Sequence, residues 1–293
     1  VKNCFIISFY LPTKDSVKIL EDMLIKLSSN FKNPTFIIGF NPSPFITEAI
    51  QLIKSRNEFE ILYGVVDDYL SCDSDASGFQ KALKILKNSH KKYDLYWFLH
   101  SKAITSNRHH EREYMLNDFI ENKEKIESLF NENNFIGSYG DMLIQLGTLK
   151  KGYKFTTPTT SGNYLDKFYN FKVKIPFEYF YAKTFFVIKG LIVNEFITKC
   201  NESFFNDYLN IYGEKNTDRY FFERDFIRLV DKMGYVVLGR VVSNGISDNR
   251  WGNISTEESN KRYLEEMGLW LEVNQLDLDK ENIIKILKEW QRL

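Results

Sequence analysis

Residues 93–102 read YDLYWFLHSK, an apolar strand that stops abruptly at His100, Ser101 and Lys102. In an open parallel sheet, ligands bind beyond the carboxyl ends of the strands. A polar, cationic tripeptide closing so apolar a run therefore predicts a site at this strand tip. Working back toward the N-terminus, three more runs have the same character: CFIISFY at 4–10, TFIIGF at 35–40 and FEILYGVV at 59–66. Near-continuous apolarity is the pattern of parallel strands covered on both faces. Between them, Val17, Leu20, Leu24 and Leu27 repeat at helical spacing after Asp15, which is read as the N-cap, and Phe79, Ala82, Leu83 and Leu86 repeat likewise. The prediction is βαβαβαβ through residue 102, an α/β, Rossmann-type, mostly parallel sheet with helices on both faces.

Beyond residue 102 the pattern changes. A charged helix is predicted over 109–131, with Leu116, Phe119, Ile120, Ile126 and Phe130 on its apolar face, followed by a strand at 135–139. The stretch TTPTTSGN at 156–163 is turn-rich, 177–189 is mixed, 218–233 reads as a helix and 235–242 as a strand. An amphipathic helix over 276–293, carrying Ile283, Ile284, Ile286 and Leu287, packs on the body. No repeat or low-complexity linker divides the 293 residues, so one domain with an elaborated second half is expected.

Composition narrows the classes. The 39 basic and 39 acidic residues cancel and the pI is about 7.1, which leaves no global field for nucleic acid or an anionic bilayer. Cys4, Cys72 and Cys200 have neither zinc-ribbon nor disulfide-framework spacing and are read as structural. Apolar runs are strand-length, and residues 1–12 lack a cleavable signal's features, so a cytoplasmic protein without a transmembrane segment is expected. Peripheral attachment at a membrane is compatible with this reading.

Four polar loops follow the four predicted strands: Leu11-Pro12-Thr13, Asn41-Pro42-Ser43-Pro44, Asp67-Asp68-Tyr69 and His100-Ser101-Lys102. Together they line one edge of the sheet and make a cleft. Within SCDSDASGFQ at 71–80, Ser77 and Gly78 precede the helical periodicity, a nest-like turn suited to a pyrophosphate. Asp73 and Asp75 form an Asp-x-Asp whose spacing suits a divalent metal such as Mn or Mg, although an acidic loop explains it equally well and metal is not favoured. His100 and Lys102 share a face at period two, so an ammonium beside an imidazole can meet a departing diphosphate without a metal. Arg108, His109, His110 and Arg112 extend the positive cluster, and the adjacent histidines diverge on a helix.

The order of several segments resembles the rhamnan synthesis F family of bacterial polysaccharide enzymes. These are the run at 93–102, a basic loop, Tyr114-Met115-Leu116-Asn117-Asp118, Phe135-Ile136-Gly137-Ser138, Ala182-Lys183-Thr184-Phe185-Phe186, and Phe222-Glu223-Arg224 ahead of Gly234-Tyr235. The first half is similar to the nucleotide-binding half of GT-A glycosyltransferases. Ser101, Lys183 and Phe186 stand where the family has Thr, Gly and Trp, so the sugar and acceptor are not carried over.

The resemblance implies a single GT-A-like domain over 1–293. Residues 1–102 would be its nucleotide-binding half, 103–275 its acceptor-side half and 276–293 its C-terminal helix. The implied donor is a nucleotide-diphosphate sugar and the acceptor a glycan or lipid-linked glycan. His100, Ser101, Lys102, Ser77, Gly78 and Arg224 would hold the donor's phosphates, and Tyr10, Asn41 and Asp67, with Phe9, its nucleoside. Glu223, with Asp218 and Asp225 beside it, is the candidate base for an inverting transfer, and the tip at His100 in place of an acidic pair implies weak or no metal dependence. Two alternatives stay open. One is a nucleotidyltransferase, disfavoured because residues 11–15 lack glycine; the other is a noncatalytic sugar- or protein-binding module on a transferase fold.

Overall fold

The computed structural model of the chain describes residues 1–67, 75–101, 104, 109–148, 177–181, 184–200, 202–206, 221–222 and 226–241. Toward the C-terminus it describes 261, 264–265, 267–268, 270–272, 274 and 278–291. One sheet organises them. Its strands are β1 (Asn3–Phe9), β2 (Thr35–Phe40), β3 (Glu60–Val65), β4 (Leu95–His100), β5 (Ile136–Thr148), β6 (Phe177–Tyr181), β7 (Phe186–Lys189) and β8 (Val236–Val241). The order is β3-β2-β1-β4-β7-β5-β6, with β8 paired to β5. Pairs β3-β2, β2-β1, β1-β4 and β5-β8 are parallel, whereas β7 runs antiparallel to β4 and β5, and β6 antiparallel to β5. The α/β class expected from the sequence, one mostly parallel sheet with helices on both faces, is the one observed.

Helices cover both faces, and the strand register decides which residues meet which helix. Phe5, Phe36 and Trp97 share one face, since Phe5 pairs with both Phe36 and Trp97. There they meet Phe31, at the end of α1 (Lys14–Asn30), and Phe119 of α4 (His109–Glu132), while α2 (Ile46–Ser55) joins β2 to β3. Lys26 of α1 reaches Asn117 of α4 at 2.5 Å, tying the two helices on that side. On the opposite face Phe98 packs on Phe79 of α3 (Asp75–Ser89) and on Phe186, Phe222 and Phe226. The helix Gly190–Lys199 lies on the same side, where its Asn194 accepts from the Tyr96 hydroxyl at 2.6 Å. That bond serves a neutral phenol, because burial pushes the Tyr96 pKa far up.

Several sequence expectations need correction. The N-cap of α1 is Thr13: its N–H donates to Ser16 Oγ at 3.2 Å, and the two hydroxyls lie 3.0 Å apart. Asp15 is instead in the first turn, where a carboxylate suits the helix dipole. Strand β3 lies at the sheet edge and is only half-buried, so its apolar run did not report burial on both faces. β5 continues well past the 135–139 expected, and the mixed stretch at 177–189 resolves into β6 and β7. Within 218–233 the described helix is only Arg228–Lys232, preceded by a wide turn in which the Phe226 N–H donates to the Phe221 carbonyl at 2.9 Å. The C-terminal helix runs over Lys280–Gln291 and buries Ile283 and Leu287, with Ile284 and Ile286 partly covered.

Buried titratable groups in the body carry their own consequences. Burial pushes the Cys4 and Cys200 thiols up, which leaves both inert and agrees with a structural reading; Cys72 lies outside the described residues. Asp231 is 3% exposed, its Oδ1 has no hydrogen-bond partner among the described residues, and burial raises its pKa well above normal against the opposing pull of Arg228. A carboxyl whose folded pKa is raised stabilises fully below its unfolded value, about 3.9, and loses that contribution as pH rises through the folded value. Asp231→Asn, compared with the parent by urea denaturation, should therefore match it near the unfolded pKa and become relatively more stable at neutral pH. A difference that stays flat across that range would reject the assignment.

Candidate functional site at the strand tips

The sequence places a polar residue at the tip of each central strand, and the register puts three of them on the α3 side. Ser8 pairs with His100 across β1 and β4 and with Gly39 across β1 and β2. Asn41 continues β2 two residues beyond Gly39, so it returns to the same face. Helix α3 crosses directly over these positions. A Cβ on Gly39 would stand 1.8 Å from the Gly78 carbonyl oxygen, and one on Gly78 would stand 2.1 Å from Ser8 Oγ. Only two facing glycines let the helix backbone lie this close to the strands.

This contact corrects the expected nest. Helix α3 begins at Asp75, so Ser77 and Gly78 lie inside its first turn, and both are buried. The Ser77 hydroxyl donates to Asn41 Oδ1 at 2.8 Å, and Asn41 Nδ2 reaches Ser8 Oγ at 3.5 Å. Both ends of the Asn41 amide are thereby directed at the protein, with the residue 7% exposed. Asn41, Ser77 and Gly78 form a strut fastening α3 to the sheet, which is a different use from the donor contacts expected of them.

His100 is also buried, at 8% exposure. Its ring centroid is 5.6 Å from that of Phe185 and 6.4 Å from that of Phe79, and its Nδ1 lies 3.6 Å from Asp75 Oδ2. The second aspartate of the Asp-x-Asp therefore faces an imidazole. Asp73 lies outside the described residues, among which no group of three or more His, Cys, Asp or Glu is arranged to hold a metal. Phe185 follows Thr184, whose φ of 51° is a left-handed conformation rarely adopted by a β-branched residue. Such backbones cost roughly 1–3 kcal/mol and collect at functional sites. Thr184 is itself buried, so surrounding packing holds it.

Two candidates do face outward. Tyr10 is 36% exposed at the tip of β1, where its N–H donates to Ser101 Oγ at 3.0 Å. Ser101 in turn donates its N–H to the Ser8 carbonyl at 3.1 Å, so the tips of β1 and β4 are clamped together. Asp67 is exposed beyond β3. Ser43 accepts from the Leu11 N–H at 3.2 Å and donates to the Asn41 carbonyl at 2.8 Å, which ties the first two loops. Lys102, Asp218, Glu223, Arg224 and Asp225 lie outside the described residues. Their neighbours Phe222 and Phe226 pack against Phe98, and Phe222 also meets Phe79 at 5.1 Å.

Sequence reading missed Ser8, Gly39 and the pairing of Asp75 with His100. Two of these carried a signal: Ser8 interrupts CFIISFY at the residue before its closing aromatics, and a glycine inside TFIIGF marks a close backbone approach. A wide groove lies elsewhere. It has a volume of about 770 Å³ and runs along the last turns of α4 and the helix Lys280–Gln291, bordered by Glu124, Ser128, Asn282 and Lys285. It is open and mixed in charge, and it contains none of the strand-tip residues.

No family model matches the chain, and no curated protein matches it. Among solved structures it is similar to S. aureus TarS 1–349, at 13% identity and a TM-score of 0.38, over 99% of this chain and 70% of that one. The same protein in complex with UDP gives 13% and 0.39 over 99% and 70%. Its complex with UDP-GlcNAc gives 12% and 0.37 over 99% and 71%. Likeness at this level assigns neither residues nor activity to this chain. No helix among the described residues is long and apolar enough to cross a membrane.

Proposed function

We propose that this chain is a glycosyltransferase that moves a sugar from a nucleotide-diphosphate sugar to a glycan acceptor, with inversion at the anomeric carbon. The observation carrying this reading is the convergence of Tyr10, Ser101, His100 and Asp75 at the carboxyl edge of β1 and β4, beside the first turn of a fifteen-residue helix. Strand tips of a parallel sheet are where such folds take nucleotides. The ordered resemblance to the rhamnan synthesis F family supplies the reaction class, and Glu223 the base. Lys102 and His100 would balance the diphosphate's charge as it leaves.

The burial of His100 favours one rival, a noncatalytic sugar-binding module on the same fold. One experiment separates the two. Purified protein is screened by thermal unfolding against nucleotide sugars, and release of nucleoside diphosphate is followed with the best of them. A donor at 100 times its dissociation constant adds about 2.7 kcal/mol of stability. Both readings expect a response to some sugar ligand, but only a transferase releases diphosphate, and its turnover should persist in excess chelator. Stabilisation without release assigns the binding module; abolition by chelator with rescue by manganese removes the metal-independent mechanism.

A further inference from the structure

The mechanism proposed above uses His100 but leaves unexplained what fixes an imidazole between two phenyl rings. His100 has described neighbours on several sides. Phe79 of α3 and Phe185 flank the ring, Ser8 is its register partner on β1, and Asp75, on the first turn of α3, brings a carboxylate to 3.6 Å from Nδ1. Of these four, Asp75 alone carries a charge. The carboxylate is held by an α-helix's first turn, and its side chain is three-quarters buried. The helix is in turn locked to the strands by Gly39 against Gly78 and by Ser77 on Asn41. The backbone carrying the carboxylate is therefore fixed relative to the ring, with Asp75 Oδ2 at 3.6 Å from Nδ1.

We propose that Asp75 is a positioning residue for His100, holding the imidazole with its Nδ1–H turned toward α3 and its Nε2 on the opposite edge of the ring. A histidine's two nitrogens are distinct, and the partner of one decides the proton state of the other. The second aspartate of the Asp-x-Asp thus serves to orient a histidine. The consequence for donor phosphates rests on the glycosyltransferase reading; the orientation itself does not.

The test reads the tautomer directly. Two-bond proton–nitrogen spectra of the uniformly labelled full chain report all four histidines, and His100→Gln identifies the resonance of interest by its loss. In the wild type above the imidazole's titration, the Nδ1–H form should outnumber the Nε2–H form by about tenfold or more, the effect of one charge-assisted hydrogen bond. Asp75→Asn should erase that preference, and Asp75→Glu should retain most of it. A wild-type ring carrying its proton on Nε2 overturns the proposal even if neither variant folds, and so does an unchanged tautomer in folded Asp75→Asn. The donor screen keeps the two readings apart: the predicted tautomer with no response to any nucleotide sugar leaves the positioning role intact and removes the transferase.

Discussion

Gly39→Ala should cost about 3 kcal/mol of folding stability, the upper end of what overpacking usually costs. The added methyl would sit 1.8 Å from the Gly78 carbonyl oxygen and 2.7 Å from its carbon, and both belong to helix backbone that cannot swing aside. Gly64 provides an internal control, because it is the register partner of Gly39 on β3. There a Cβ would meet the ends of the Lys81 and Ile85 side chains at 3.0 and 3.1 Å, which can move. Gly64→Ala should therefore cost under about 1 kcal/mol, since the strain is relieved by rotamer changes. Urea denaturation should show the midpoint falling steeply for Gly39→Ala and little for Gly64→Ala. Equal losses would mean that α3 does not sit on β2 as described.

If the transferase proposal holds, Glu223→Gln should lower glycosyl transfer by about 10²–10⁴-fold, the range for a positioned general base. The substitution keeps size and hydrogen-bonding capacity but removes the proton acceptor. Donor binding, read as ligand-induced stabilisation, should stay within a factor of about two, because the base acts on the acceptor hydroxyl. A loss confined to KM for the donor would reassign Glu223 to phosphate binding, and full activity would return the base role to Asp218 or Asp225.

Much of the fold was legible because buried parallel strands advertise themselves. The runs of β1, β2 and β4 are mostly apolar and every residue in them is buried. β3 has a similar sequence but lies at the edge, and composition alone does not distinguish an outer strand from an inner one. The starts of helices were less legible. Asp15 and Ser77 both belong to types that cap helices, yet Thr13 caps α1, and α3 begins two residues before Ser77. Caps are set by where the chain leaves extended geometry, which neighbouring strands decide.

At the site, period-two alternation says which residues of one strand share a face, but it cannot say whether that face is open. The helix α3 covers it, and two small residues in distant segments made that cover fit. The pairing of Asp75 with His100 spans twenty-five residues and depends on the same fit, so no local spacing reveals it. Tyr10 and Asp67 were legible as exposed tip residues because they lie past the ends of their strands, where no helix crosses.

The rings around Phe79 have a mechanical consequence. Phe79 packs against His100, Phe98 and Phe222. Close-packed interiors pass displacement along instead of absorbing it. Phe79 thus couples the tip of β4 to Phe222, and any sliding of the helix that carries it would press on both.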